Sequence, residues 1–217
     1  MEFMREMPDK AYEMAIVDPP YGIGADNHHQ WATGGKAVAP KGDYGSSQWD
    51  STAPSKDYFE ELFRVSKNQI IWGANHFIDR MAIPSSCWIV WDKVNGSNPF
   101  ADFEMAWTSF STVARLFRFQ WQGMLQGDMK NKERRIHPTQ KPVRLYEWLL
   151  QNYAKPGDKI LDTHLGSGSS AIAAYNTGFD FTGYEIDADY FQAAKERLER
   201  HMKQERLFEP QMLAVAI

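Results

Sequence analysis

Near the amino terminus, Asp18-Pro19-Pro20-Tyr21 brings a carboxylate, a proline carbonyl and an aromatic face together within four residues. The tetrapeptide follows the apolar run Met14-Ala15-Ile16-Val17, and its prolines forbid both a helix and further ladder pairing, so a buried strand is expected to stop at Asp18. Such a set suits methylation of an exocyclic amino group on a nucleobase. The lone pair of that group is delocalised into the ring, and two acceptors holding its two hydrogens favour a pyramidal, nucleophilic nitrogen. Tyr21 would stack on a base turned out of the duplex, contributing roughly 1 to 3 kcal/mol against an unstacking cost of a few kcal/mol. The plainer reading is a proline-rich turn capped by tyrosine.

A second chemical signal is Gly166-Ser167-Gly168-Ser169, which follows Asp162 and opens a helix of small residues, Ala171, Ala173 and Ala174. A glycine loop at that point lets a ligand approach the backbone, and the helix start presents unpaired amides. Glu185, nineteen residues beyond Gly166, ends the next apolar stretch, where a carboxylate can accept both ribose hydroxyls. A dinucleotide fits the same spacing, and so does a strand-to-helix turn with nothing bound.

The elements that must position these groups alternate. Strands are predicted at 14–17, 70–72, 87–91, 103–107, 159–162 and 179–183. Helices are predicted over 56–65, 75–81, from Pro142 through Leu145, Trp148, Leu149 and Tyr153, and from Asp187 to about Glu205. This βαβ order implies a mostly parallel twisted sheet with helices on both faces and ligands at the carboxyl ends of its strands. Residues 22–50 lack periodicity and are expected to form a mobile lid.

At 217 residues the chain is expected to be a single domain. No apolar run occurs in Met1 to Lys10, so neither a signal peptide nor a membrane span is expected there, and the expected location is cytoplasmic. Cys87 is the sole cysteine, which excludes an internal disulfide and a thiolate zinc site; it reads as a buried apolar residue, and no metal is expected. The net charge of −4 hides a segregation: Arg115 to Arg144 holds eight basic residues against Asp128 and Glu133, which leaves about −10 on the rest. Within it Arg115, Arg118, Lys130, Lys132, Arg134 and Arg135 are the candidate DNA contacts, with a solvated face as the plainer alternative.

These motifs together resemble the β-class S-adenosylmethionine-dependent amino methyltransferases of DNA, in which the catalytic motif precedes the cofactor motif. Asp18 to Gly22 matches the catalytic motif and His137-Pro138-Thr139-Gln140-Lys141-Pro142 the histidine-to-proline element. Asp162 to Gly168 matches the glycine loop and Gly183 to Asp187 the acidic strand end, so the likeness spans about residues 10 to 205.

The resemblance implies a Rossmann-like methyltransferase fold with circularly permuted motif order, and 109–136 as a short DNA-recognition insert. It further implies that Asp18 and Pro19 hold the target amino group beside Pro20, and that Tyr21 stacks on the base. The cofactor, S-adenosylmethionine, would meet Asp18, His137, Thr139, Lys141, Asp162, His164, Gly166, Ser167, Gly168, Glu185 and Ile186. Glu185 would take its ribose, and Thr139 and Lys141 would lie near its carboxylate; His137 is equally read as a packing residue. The implied partner is double-stranded DNA with a flipped target base; a homodimer is compatible, and a membrane is not. Asp in the first catalytic position favours adenine N6 over cytosine N4.

Two departures stand out. Thr163 and His164 replace the family's usual Pro and Phe, giving a more polar wall beside the cofactor. The family's strand and acidic residue that contact the cofactor adenine would end where Met1 to Met4 stand, so a sheet edge is expected to be missing or supplied by Leu207 to Ile217. Alternative readings are a nicotinamide-dependent oxidoreductase, which leaves Asp18 to Tyr21 unexplained, and a non-catalytic DNA-binding relative.

Overall fold

The computed structural model describes residues 1–24, 50–81, 83–96, 101–122 and 125–204. Most of the expected lid and all of the 207–217 tail lie outside the described residues.

Among the described residues are nine strands. They are β1 (Tyr12–Val17), β2 (Ser66–Trp72), β3 (Ile89–Asp92), β4 (Phe103–Thr108), β5 (Arg115–Arg118), β6 (Trp121–Gln122), β7 (Leu125–Gln126), β8 (Lys159–Asp162) and β9 (Asp180–Gly183). The α-helices are α1 (Glu2–Glu6), α2 (Lys56–Val65), α3 (Ile78–Met81), α4 (Val143–Tyr153), α5 (Ser169–Thr177) and α6 (Ala188–Met202), with a 3-10 turn at Ala74–His76. Helices separate the strands up to β3 and from β7 onward. Seven strands form one sheet in the order β5-β3-β4-β2-β1-β8-β9, and β6 and β7 make a separate hairpin. Among the seven, β4 alone runs against its neighbours β2 and β3; every other pairing is parallel. The expected Rossmann-like sheet is therefore present, with β9 its edge among the described residues.

Alternation along β1 shows why both faces are covered. Successive strand side chains point to opposite sides. Met14 and Ile16 enter a core with Leu145, Tyr146, Leu149 and Leu150 of α4 and Ala173 and Ala174 of α5. Ala15 and Val17 enter the other core, with Met4 of α1 and Tyr58, Phe59, Leu62 and Val65 of α2. A strand buried on both faces reads as a continuous apolar run, which is what residues 14–17 are.

Local chemistry sets the ends of the helices around the site. Gly168 caps α5 in the left-handed region at φ +73°, and a Cβ there would meet Ala194 Cβ of α6 at 3.2 Å. That glycine both makes the turn and lets α6 close on α5. Asp187 caps α6 by accepting from the amides of Asp189 and Tyr190, satisfying two of the orphan donors of the first turn. No helix among the described residues is long and apolar enough to cross a membrane.

Candidate active site

Asp18 follows the last residue of β1 and sits in a network with Tyr21, Glu104, Lys141 and Lys93, five ionisable groups drawn from separate parts of the chain. Its Oδ1 accepts from the Tyr21 hydroxyl at 2.8 Å and its Oδ2 from the Lys141 ammonium at 2.5 Å. Lys141 Nζ also reaches Glu104 Oε2 at 2.9 Å and the Tyr21 oxygen at 3.3 Å. Lys93 pairs with the other oxygen of Glu104. The Lys141 side chain is only 3% exposed, with its ammonium 5.4 Å from the centre of the Trp72 ring.

Such a buried set survives only if its charges offset one another. Burial pushes the Glu104 carboxyl up, but Lys141 and Lys93 outweigh it and hold the group down at about 2. For Lys141 burial works against the ammonium, yet Asp18 and Glu104 raise it above its ordinary range. Asp18 is shifted upward, by burial first and by the Glu104 charge, against the pull of Lys141 and Tyr21. Burial also raises Tyr21 well above the usual phenol range, so its hydroxyl stays a donor.

The Tyr21 ring lies over Gly73, just past the end of β2. Gly73 has φ +67°, and a Cβ there would fall 2.0 Å from Tyr21 Cε1, so only glycine leaves room for the ring. His76 stacks on Tyr21 with centroids 4.8 Å apart and planes 16° from parallel.

Beside Asp18 a cavity opens between the histidine-to-proline segment, the glycine loop and the end of β9. Asp18, Lys141, His164, Gly166, Glu185 and Tyr190 are among its walls. Glu185 Oε2 accepts from the Gly166 amide at 2.8 Å, and its Oε1 accepts from the amides of Ile186 and Asp187 at 2.9 and 3.0 Å. Ile186 is 99% exposed at the rim. A Cβ on Gly166 would meet only the His164 carbonyl oxygen, at 3.9 Å. A carboxylate poised beside a glycine loop, an uncovered apolar side chain and open space over Gly166 fit a nucleoside cofactor with an adenine and a ribose.

Beneath that loop Asp162 is buried, its Oδ1 accepting from the His164 amide at 3.0 Å and its Oδ2 from the Ser170 hydroxyl at 2.6 Å. Burial drives it up to about 7, and the charges of Asp18 and Glu185 add to the shift. Burial also pushes His164 down to about 4, which keeps its ring neutral beside Tyr58 and Thr163.

A family model described as DNA methylase, for enzymes of the N6/N4 type, matches residues 79–196 of this chain. The chain belongs to that family. The methylase is similar to the type II methyltransferase M2.DpnII of Streptococcus pneumoniae, with 26% identity over 91% of this chain and 86% of that protein. In fold it is similar to TTHA0409 of Thermus thermophilus, titled a putative DNA modification methylase complexed with S-adenosyl-L-methionine. The identity is 18%, the TM-score 0.57, and 94% of this chain and 93% of that one are covered. It is also similar to the PvuII DNA methyltransferase, titled cytosine-N4-specific, at 12% identity and TM-score 0.56, covering 96% and 85%. S-adenosylmethionine is the cofactor of this family.

In the methylase, Asp18, His137, Thr139, Lys141, His164, Gly166, Ser167, Glu185 and Ile186 all line the cavity, together with Pro20. Asp162 and Gly168 lie outside it, as the support of the loop and the cap of α5. His137 has both characters: its Nδ1 is 3.2 Å from the Thr139 hydroxyl and its ring packs edge-on against Tyr190. The basic residues fall on two segments of the chain. Arg115 and Arg118 are exposed on the edge strand β5, with Arg118 paired to Asp92. Lys130, Lys132 and Arg134 are exposed on the segment after the β6–β7 hairpin, where Arg135 lies over the Trp121 ring. Glu104, Lys93 and His76 went unnoticed in the sequence; the approach of Glu104 to Asp18 needs the reversed direction of β4, which no local pattern announces.

Proposed function

We propose that this DNA methylase is an adenine-N6 enzyme of the β-class, acting on a base flipped out of duplex DNA. The observation that carries the reading is the Asp18 carboxylate, at a strand end beside Tyr21, opening onto the same cavity as Gly166 and Glu185. Cytosine N4 is the alternative target, and an Asp in the first catalytic position favours adenine.

When bound, S-adenosylmethionine supplies an electrophilic methyl group. Glu185 would hold its ribose, with Ile186 against its adenine, and Gly166, Ser167 and His164 would line its path. Thr139, His137 and Lys141 form the wall toward its methionine end. Asp18 and the Pro19 carbonyl would accept the two hydrogens of the target amino group and so direct its lone pair, and the proton that the nitrogen sheds on methylation would leave by way of the Asp18 carboxylate. As positive charge grows on that nitrogen, the Asp18 carboxylate stabilises it, a contact preorganised by the rigid Pro19-Pro20 turn. Tyr21 offers its ring to the base in place of His76.

The chain works as a single catalytic domain in this reading, with 109–136 as the DNA-recognition insert and Arg115, Arg118, Lys130, Lys132, Arg134 and Arg135 on phosphates. Similarity to a type II methyltransferase supports a role in restriction–modification, in the cytoplasm. The test is transfer of labelled methyl from S-adenosylmethionine to unmethylated duplex DNA, with the modified nucleoside identified by mass spectrometry. N6-methyl-2′-deoxyadenosine supports the proposal, N4-methyl-2′-deoxycytidine replaces the base, and no labelled nucleoside overturns it.

A further inference from the structure

We infer that Glu104 is a positioning residue for methyl transfer, sharing the Lys141 ammonium with Asp18 so that Asp18 keeps enough negative charge to accept the target amino group. The inference rests on the proposed role of Asp18. Glu104 is the second residue of β4, and because β4 is reversed its start lies at the sheet edge where β1 ends. Met105, next in the strand, accepts from the Gly73 amide at 2.9 Å, which fixes the backbone from which Glu104 reaches across β2.

An ammonium has three N–H donors. Those of Lys141 face Asp18 Oδ2 at 2.5 Å, Glu104 Oε2 at 2.9 Å and the Tyr21 oxygen at 3.3 Å, and its side chain is 3% exposed. A lysine so placed, with Asp18 as its only carboxylate partner, would cancel the charge that the reacting nitrogen must feel. With Glu104 taking a share of the same cation, the ammonium cancels less of the Asp18 charge that faces the cavity. Lys93, on the other oxygen of Glu104, balances the remaining charge and lets the four charged groups stay buried.

The relation has a sign that mere packing lacks. Asp18 is faced by Lys141, by Tyr21, by Glu104 from β4, by Tyr146 from α4 and by Asp162 from β8. Removing the Glu104 charge gives Asp18 the undivided ammonium, so its protonation moves to lower pH. Removing Lys93 strengthens Glu104, so Asp18 protonation moves to higher pH.

The experiment compares wild type, Glu104→Gln and Lys93→Gln. Asp18 titration is followed in the ligand-free protein by carbon-13 NMR of labelled aspartate, assigned with Asp18→Asn. Single-turnover methylation at saturating cofactor and duplex, and S-adenosylhomocysteine affinity by calorimetry, complete the set. For Glu104→Gln the expected result is a lowered Asp18 midpoint and a rate down about tenfold, with S-adenosylhomocysteine affinity within about twofold. Lys93→Gln is expected to raise the midpoint, and it keeps the test alive if Glu104→Gln does not fold. Midpoints that stay put or move in the same direction overturn the inference, as does a Glu104→Gln rate within about threefold of wild type. A wild-type protein that methylates no duplex sinks the adenine-methylation reading instead, while the NMR midpoints still decide whether Glu104 acts on Asp18.

Discussion

Replacing Asp162 by asparagine should stabilise the protein above neutral pH. Asp162 is 1% exposed, and burial pushes its carboxyl up to about 7 against the bonds from Ser170 and the His164 amide. In the unfolded chain an aspartate titrates near 4. Between about pH 4 and 7 the folded state therefore binds more protons than the unfolded one, and stability falls as pH rises through that window. Some three units at about 1.4 kcal/mol each set an upper bound of about 4 kcal/mol, and relaxation around the loop brings the expected penalty at pH 8 to about 2 to 4 kcal/mol. Asparagine reproduces the protonated form: its oxygen accepts from the His164 amide and its NH2 donates to the Ser170 hydroxyl, which turns to receive it. Urea denaturation at fixed ionic strength from pH 4.5 to 8, run on both proteins, should show curves that nearly meet at the acid end and diverge in favour of Asp162→Asn as pH rises. Parallel curves, or a wild type that gains on the variant toward pH 8, would refute an ionised, buried Asp162 as a cost to the fold.

Asp18→Ala should lower single-turnover methylation on the order of 100-fold or more, with DNA affinity much less affected, and a rate within about threefold of wild type would remove Asp18 from the chemistry. Glu185→Ala should weaken S-adenosylhomocysteine binding by about 1.5 to 3 kcal/mol in calorimetry, an unchanged Kd meaning that the carboxylate serves only the amides of Gly166, Ile186 and Asp187. Gly73→Ala places a Cβ 2.0 Å from Tyr21 Cε1 at a left-handed φ of +67°. It should cost about 1 to 2 kcal/mol or more in denaturation midpoint and displace the ring, and wild-type stability would contradict that packing. Neutralising Arg134 and Arg135 together should weaken DNA binding and reduce its salt dependence by a slope of about 0.9 per lost phosphate contact, measured by fluorescence anisotropy across salt concentrations.

What could be read from the sequence was what is local. Helix α2 coincides with its prediction because Tyr58, Phe59, Leu62 and Val65 repeat at helical spacing, and β8 because a turn and a glycine loop bound it. Strand β2 begins at Ser66, four residues before its apolar run, because its polar start pairs with β1 at Tyr12↔Ser66 and buries Ser66 and Gln69 with their side chains hydrogen-bonded, which no apolar pattern announces. The segment expected as one helix at 75–81 divides into a 3-10 turn and α3, with Phe77 turned into the core between them. Strands β5 to β7 were invisible because none carries an apolar run longer than two residues. For the site, the motifs located Asp18, the 137–142 segment, the glycine loop and Glu185. They could not report that Lys141 spends its donors on Asp18 and Glu104, a meeting of residues 123 and 37 positions apart that the sheet order alone creates.

The seam between β1 and β8 is held in register by Met14↔Ile160 and Ala15↔Leu161. Everything that carries Asp18, Tyr21 and Glu104 precedes residue 109, and everything that carries the cavity's other wall follows residue 136. Between them residues 127 to 132 are exposed throughout. A chain opened at that turn would yield two pieces, each with one wall of the cavity, that must reassociate across the seam before Lys141 can reach Asp18. The topology thus furnishes a ready site for a split enzyme, in which DNA modification would report the encounter of two fused proteins.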